Sequence, residues 1–208
     1  MTDKYRTKQE GFWAGEFGND YIERNQGEQV LSGRMAMLTK ILSRTGGIKS
    51  VLELGANIGL NLTALRHLLP EADLTAVEIN EQAVKELRAK GRVKQVIHSS
   101  ILEFEPEEQW DMVFIAGVLI HINPEELNKV YDLMVRASQK YVMLCEYYNP
   151  TPVEVTYRGH EGRLFKRDFA GELWDRHPDL KLVDYGFTWR RDPVFPLDDS
   201  TWFLFEKT

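Results

Sequence analysis

A single cysteine, Cys145, rules out an internal disulfide, and the chain is expected to work in a reducing, cytoplasmic setting. Cys145 sits in an apolar run and reads as an inert buried thiol rather than a nucleophile. No apolar stretch approaches the ~20 residues that span a bilayer. The first residues, Met1 to Arg6, are polar with no apolar signal region behind them, so no membrane association is expected. Basic excess is missing as well. The net charge of −6 argues against broad nucleic-acid binding, though not against a local basic pocket. The five histidines form no pair at metal-ligating spacing, so no metal is expected. Repeats, linkers and low-complexity segments are absent, which predicts one domain over residues 1–208.

What is present centres on Val51 to Asn61. Val51 to Leu54 reads as a buried strand interrupted by Glu53, Gly55 breaks it, and a helical pattern starts near Leu60. Strand, glycine turn and helix N-terminus together make a nucleotide-binding hinge, because glycine admits close backbone approach and the helix start offers unpaired N–H groups. The dinucleotide fingerprint wants glycines at positions one, three and six of the turn; here those are Gly55, Asn57 and Leu60, so one of three fits. That disfavours a nicotinamide oxidoreductase. The spacing Glu53, Gly55, Asn57, Gly59 fits an acidic-x-Gly-x-Gly-x-Gly pattern whose middle glycine is Asn, a residue that tolerates positive φ. A second apolar strand, Leu74 to Val77, ends in Glu78, nineteen positions after Gly59. A carboxylate at roughly that 20-residue offset meets a ribose diol, which it accepts in bidentate fashion.

Strands and helices then alternate. Helices are predicted over about 28–45, over 60–69 before Pro70, from an Asn80 cap to Gly91, and from Asn123-Pro124 onward. Strands are predicted at Val93 to Ile97, Trp110 to Ala116 and Lys140 to Glu146. Such alternation predicts a doubly wound α/β fold with a mostly parallel sheet and a ligand at the strands' C-terminal edge. Before it, residues 1–30 are aromatic but broken by glycine and polar residues, a poor amphipathic helix; with Phe12, Trp13, Phe17 and Tyr21 they read as a lid over the pocket. After it, Tyr147 to Arg163 has no helical period and reads as an irregular insertion, extending to Asp168, that binds substrate. A helix over about 166–176 and strands at Leu180 to Trp189 and Thr201 to Glu206 finish the sheet.

These pieces resemble a class I S-adenosylmethionine (SAM)-dependent methyltransferase over residues 30–208. More narrowly, Phe12 to Tyr21, Gly117 to Pro124, Glu146 to Val153 and Tyr157 to Gly171 resemble the pseudaminic-acid-biosynthesis-associated methylase family. The resemblance implies a Rossmann-like, seven-stranded sheet with an N-terminal helical and aromatic lid spanning 1–45. It implies SAM as cofactor and S-adenosylhomocysteine as product. The turn residues Glu53, Gly55, Asn57 and Gly59 would cradle the methionine moiety, Glu78 the ribose, and Ile79 would lie beside the adenine. Ser100 departs from the family's usual acid at the adenine edge, Ile101 would supply an apolar adenine face, and Ala116 and Gly117 would lie beside the sulfonium.

Methyl transfer from a sulfonium mainly needs alignment and exclusion of water, with a base where the acceptor must lose a proton. His121 is the candidate base by position, with Tyr148 and His160 as further candidates; a loop-bracing histidine is the plain alternative for His121. Tyr147, Tyr157, Arg158, Lys166 and Arg167, with Trp13 and Tyr21 from the lid, suit an oxygen-rich anion; a solvated charged loop is the plain alternative. The narrower resemblance implies a nonulosonic acid or its nucleotide-activated form, within carbohydrate biosynthesis. Another small carboxylate or phosphonate is the alternative acceptor, and a non-catalytic SAM-binding accessory protein the alternative class.

Overall fold

The computed structural model describes residues 5–24 and 27–207; Asn25, where the aromatic N-terminal stretch ends, lies outside them. A seven-stranded sheet runs in the order β3-β2-β1-β4-β5-β9-β8. Its strands are β1 (Ser50–Leu54), β2 (Asp73–Glu78), β3 (Gln95–His98), β4 (Trp110–Ala116), β5 (Ser138–Glu146), β8 (Leu180–Thr188) and β9 (Ser200–Lys207). The first five are parallel, and β9 runs antiparallel between β5 and β8. The doubly wound, mostly parallel architecture predicted from strand–helix alternation is the one observed.

Period-two alternation explains why the strands are apolar throughout: each face of the sheet is covered. Leu52, Leu54, Val113, Ile115, Val142 and Leu144 pack with the helices α6 (Leu127–Ala137) and α7 (Phe169–Arg176). Val51, Met112, Phe114, Tyr141 and Met143 face the other way, onto α3 (Glu28–Leu42) and α4 (Leu60–Leu68). Two local signals act as the sequence predicts. The Asn80 side chain caps α5 (Glu81–Lys90) by accepting from the Ala83 N–H at 3.0 Å, and Gly91 closes it in a left-handed conformation.

Three expectations are corrected. Residues 8–24, a poor amphipathic helix by sequence pattern, are two helices, α1 (Lys8–Ala14) and α2 (Glu16–Arg24). A reciprocal capping box starts α1: Thr7 accepts from the Glu10 N–H, and Glu10 accepts from the Thr7 N–H. The insertion after β5 is also ordered, as a hairpin of β6 (Val153–Tyr157) and β7 (His160–Lys166), with Arg158 and Gly159 at positive φ in its turn. Because β7 extends to Lys166, α7 starts at Phe169 behind an Asp168 cap, three residues later than predicted. Boundary differences elsewhere are small: β3 starts at Gln95, and a 3-10 turn, Pro124–Glu126, precedes α6.

Candidate active site

At the C-terminal ends of β1, β2 and β4 lies a cleft lined by the turn residues Glu53, Gly55 and Asn57, by Glu78, Ile79, Ser100 and Ile101, and by Ala116 and Gly117. The fold therefore brings together all the cofactor residues predicted from sequence except Gly59, which stands just behind as the left-handed N-cap of α4. A side chain at Gly59 would run into Leu87, and one at Gly55 would approach Val118 to 2.7 Å. Both glycines have φ of 74°, and Asn57 takes φ of 47°, the positive value its side chain tolerates.

Glu78 has a structural task beside its predicted one. Oε2 accepts the Asn57 N–H and Oε1 the Asn80 N–H, each at 2.7 Å, so the carboxylate ties the β1 turn to the end of β2. Burial raises its carboxyl above the usual range, against the pull of those donors. Glu53 is fully enclosed: Asn61 Nδ2 donates to Oε1 at 2.6 Å, Oε2 has no partner, and burial pushes the group up to about 8. Ser100 is already engaged. Its hydroxyl donates to Glu10 of α1 and accepts from the Leu102 N–H, so its proton is not available to an adenine edge.

His121 lies in a short 3-10 turn after β4, 7% exposed. Nδ1 contacts the Arg163 carbonyl oxygen at 2.6 Å, so Nδ1 carries the proton and Nε2 the lone pair. Burial lowers the imidazole to about 4, the Arg163 carbonyl opposing, and at neutral pH the ring is uncharged. Trp13 and Tyr157 both pack against it, with ring centroids at 4.5 and 5.1 Å, and lie 6.5 Å from one another. Trp13 is also edge-on to Phe12, Phe17 and Tyr21, and Phe12 and Phe17 pack on His160 of the hairpin. Helices α1 and α2 and the hairpin thus form one aromatic roof over the cleft.

A second cavity, about 270 Å³ in volume, also has His121 in its lining, with Tyr21, Tyr147, Tyr157, Arg158, Asp198 and Ser200 among others. Tyr147 donates to Asp198, and burial first, then Asp198, raises its phenol far above the usual value. Tyr21 is pushed up to about 12 by burial and by Tyr157, so it stays a hydroxyl. Besides Gly59, four predicted residues lie outside both cavities. Tyr148 is 44% exposed and bridges Arg167; Arg167 pairs with Glu172 at 2.7 Å; Lys166 covers the Tyr147 ring; His160 belongs to the roof's outer layer. Among the described residues, no group of three His, Cys, Asp or Glu side chains is placed to hold a metal, and no helix is long and apolar enough to cross a membrane.

Sequence reasoning missed Arg34, Asp198 and Glu146. Glu146 ends β5 at 2% exposure and accepts the N–H groups of Val118, Leu119 and Ile120 at 3.0, 3.0 and 3.4 Å, which fixes the turn that carries His121. A carboxylate ending the apolar run Tyr141 to Cys145 was the available signal. Glu146→Ala should leave three N–H groups without that acceptor and cost on the order of 3 kcal/mol; a denaturant melt matching wild type would show the turn to be held otherwise.

Burial pushes Glu146 to about 7 and Glu53 to about 8, from 4.5. A raised acid keeps its proton in the fold after the unfolded chain has lost its own. Its contribution is therefore full below the unfolded value and lost as pH rises through the folded one. His121 acts in the opposite direction, its neutral burial costing stability as pH falls from 6.5 through about 4. Melting temperature should peak in the mildly acid range and fall above it toward pH 8, and Glu53→Gln should flatten that fall. An unchanged slope in thermal melts of the variant would contradict it.

Residues 51–140 match the family model described as a methyltransferase domain. Solved structures share the fold at low identity. Magnesium protoporphyrin IX methyltransferase from Synechocystis with bound SAM is 14% identical over all of both chains, with a TM-score of 0.68. The N-methyltransferase NodS from Bradyrhizobium japonicum is 16% identical, covering 91% of this chain and 98% of its own, with a TM-score of 0.64. A SAM-dependent methyltransferase from Clostridium acetobutylicum is 11% identical, covering 92% and 97%, at 0.64. Comparison with curated proteins gave no match. The fold is the Rossmann-like fold of class I SAM-dependent methyltransferases. The residues present fit SAM: the glycine turn has no room for added side chains, and Glu53 Oε2, Asn57 Oδ1 and Trp13 Nε1 are buried at the cleft without hydrogen-bond partners.

Proposed function

We propose that the chain is a SAM-dependent methyltransferase acting on O or N of a small, oxygen-rich anion. One observation carries the reading. The cofactor cleft and the second cavity lie side by side, sharing Tyr21, Arg34, Ala116, Gly117 and His121 in their linings. A methyl donor on one side and an acceptor on the other is the arrangement an in-line displacement needs.

The turn from Gly55 to Gly59 would hold the methionine moiety, with Glu53 Oε2 as acceptor for its ammonium. Glu78 would hold the ribose diol with the lone pairs its two backbone donors leave, and Ile79 and Ile101 would flank the adenine. A bound sulfonium supplies an already activated methyl group. The chain's residues then have three tasks: to align the acceptor, exclude water, and take a proton. Nε2 of His121 can take it, because the Arg163 carbonyl fixes the proton on Nδ1. Tyr21, Tyr157 and Arg158 offer donors to acceptor oxygens. The likeness of Glu146 to Val153 and Tyr157 to Gly171 to the pseudaminic-acid-associated methylases supports a nonulosonic acid, free or nucleotide-activated, as the acceptor. The cytoplasm is the compartment that fits such an acceptor and the single buried thiol.

Helices α1 and α2 act as a lid in this reading. Only about 140 Å³ of free space remains beneath them, against the ~300–1,000 Å³ of a typical ligand pocket, so the lid lifts to admit the cofactor. Trp13→Ala removes the roof's central ring and should lower turnover by about tenfold through admitted water and lost alignment; a variant of full activity would leave α1 as plain surface. Calorimetric titration tests the cofactor assignment: SAM and S-adenosylhomocysteine should bind and NAD should not, and the reverse would overturn it.

A further inference from the structure

Arg34 stands on α3, outside the glycine turn and the hairpin, yet it faces both the cleft and the second cavity. Nη1 donates to Asn61 Oδ1 at 2.6 Å, and Asn61 passes the contact on to Glu53. Nε is buried without a partner. Among the described residues no carboxylate forms an ion pair with this guanidinium. Glu53, the nearest acid along the hydrogen-bond chain, reaches the guanidinium only through the Asn61 amide. A permanent positive charge thus stands in the lining common to both cavities with a neutral amide as its partner. Enclosing such a charge is costly unless an anion arrives with acceptor oxygens for the open N–H groups.

The second cavity is polarised. Asp198 lines it with Arg34, and the Tyr21 hydroxyl feels both charges. An anionic group is drawn to Arg34 and repelled by Asp198, whereas hydroxyl or amine donors are welcome at Asp198.

We propose that Arg34 anchors the acceptor's anionic group at the junction of the two cavities. The methylated oxygen or nitrogen then sits on a carbon next to that group, and the donor-rich remainder of the acceptor reaches toward Asp198. The proposal rests on the methyltransferase reading and narrows its acceptor to a molecule with an anionic head and a hydroxyl or amine tail. The methionine carboxylate of SAM carries the same chemistry and is the rival source of the anion.

The test uses the full chain, deuterated-methyl SAM and a metabolite extract split by anion exchange into retained and flow-through fractions. Wild type should label a product from the retained fraction alone, with fragmentation placing the methyl group beside the anionic centre. Arg34→Gln should lose at least tenfold of that labelling at subsaturating acceptor while its calorimetric SAM affinity stays within about threefold. Arg34→Lys, which keeps the charge and guards against a folding defect, should recover part of the loss. A label from the flow-through fraction, or a methyl group remote from the anionic centre, overturns the proposal. So does an Arg34→Gln variant that loses SAM affinity and labels normally at saturating SAM, which would hand the guanidinium to the methionine carboxylate. No label from either fraction overturns the methyltransferase reading as well, and intact SAM binding by wild type tells that failure apart from a lost cofactor site.

Discussion

Glu78→Ala should weaken SAM binding by about 100-fold, the worth of one or two hydrogen bonds to a charged acceptor. It should also lower stability. The sequence alone suggests a residue whose loss touches binding and little else, because a ribose acid at a strand end has no evident structural task. The geometry says otherwise: its two oxygens hold the Asn57 and Asn80 N–H groups, and through them the β1 turn and the start of α5. Losing both is expected to cost about 2 kcal/mol. Calorimetry on the folded variant separates the two effects, and an unchanged SAM affinity would remove Glu78 from the cofactor site.

His121→Ala should lower kcat by 10²-fold or more, on the order of what a positioned base contributes, with SAM affinity little changed. The pH profile is the sharper reading. Burial holds the imidazole near 4, so Nε2 keeps its lone pair across the physiological range. Base catalysis should fail only as pH falls toward that value, and kcat should be flat from about pH 6 to 8 on this group's account. An acid limb centred on the ordinary histidine value near 6.5 would mean that another residue is titrating. Full activity in the alanine variant would make His121 a brace between Trp13, Tyr157 and the Arg163 carbonyl.

The legible parts of this protein are those written within one strand–turn–helix unit. The turn at Gly55, Asn57 and Gly59 was legible because its dihedral demands are local, and the Asn80 and Gly91 caps for the same reason. The buried parallel strands showed as short apolar runs with covered faces. The hairpin did not, because among the described residues β6 pairs only with β7 and most of its residues face solvent, leaving no apolar alternation to see. Helices α1 and α2 were obscured by aromatics that serve the roof rather than a conventional apolar stripe, although the Thr7 and Glu10 capping box was in plain view. Arg34, Glu146 and Asp198 come from three separate elements, and only tertiary packing sets two of them in the second cavity and the third under the His121 turn. The same limit explains why Tyr148, His160, Lys166 and Arg167 attracted attention: polar residues near a sheet edge look alike until the hairpin's pairing decides which ones face inward.

The most direct test of the central claim follows the methyl group itself. The protein, with SAM binding first confirmed by calorimetry, is incubated with deuterated-methyl SAM and a panel of nonulosonic acids and their nucleotide-activated forms, and products are resolved by mass spectrometry. The account predicts a labelled acid formed together with S-adenosylhomocysteine, and fragmentation names the methylated oxygen or nitrogen. Bound SAM with no labelled product from the panel would contradict the assigned acceptor class, and failure to form S-adenosylhomocysteine with any oxygen-rich anion would contradict the methyltransferase assignment.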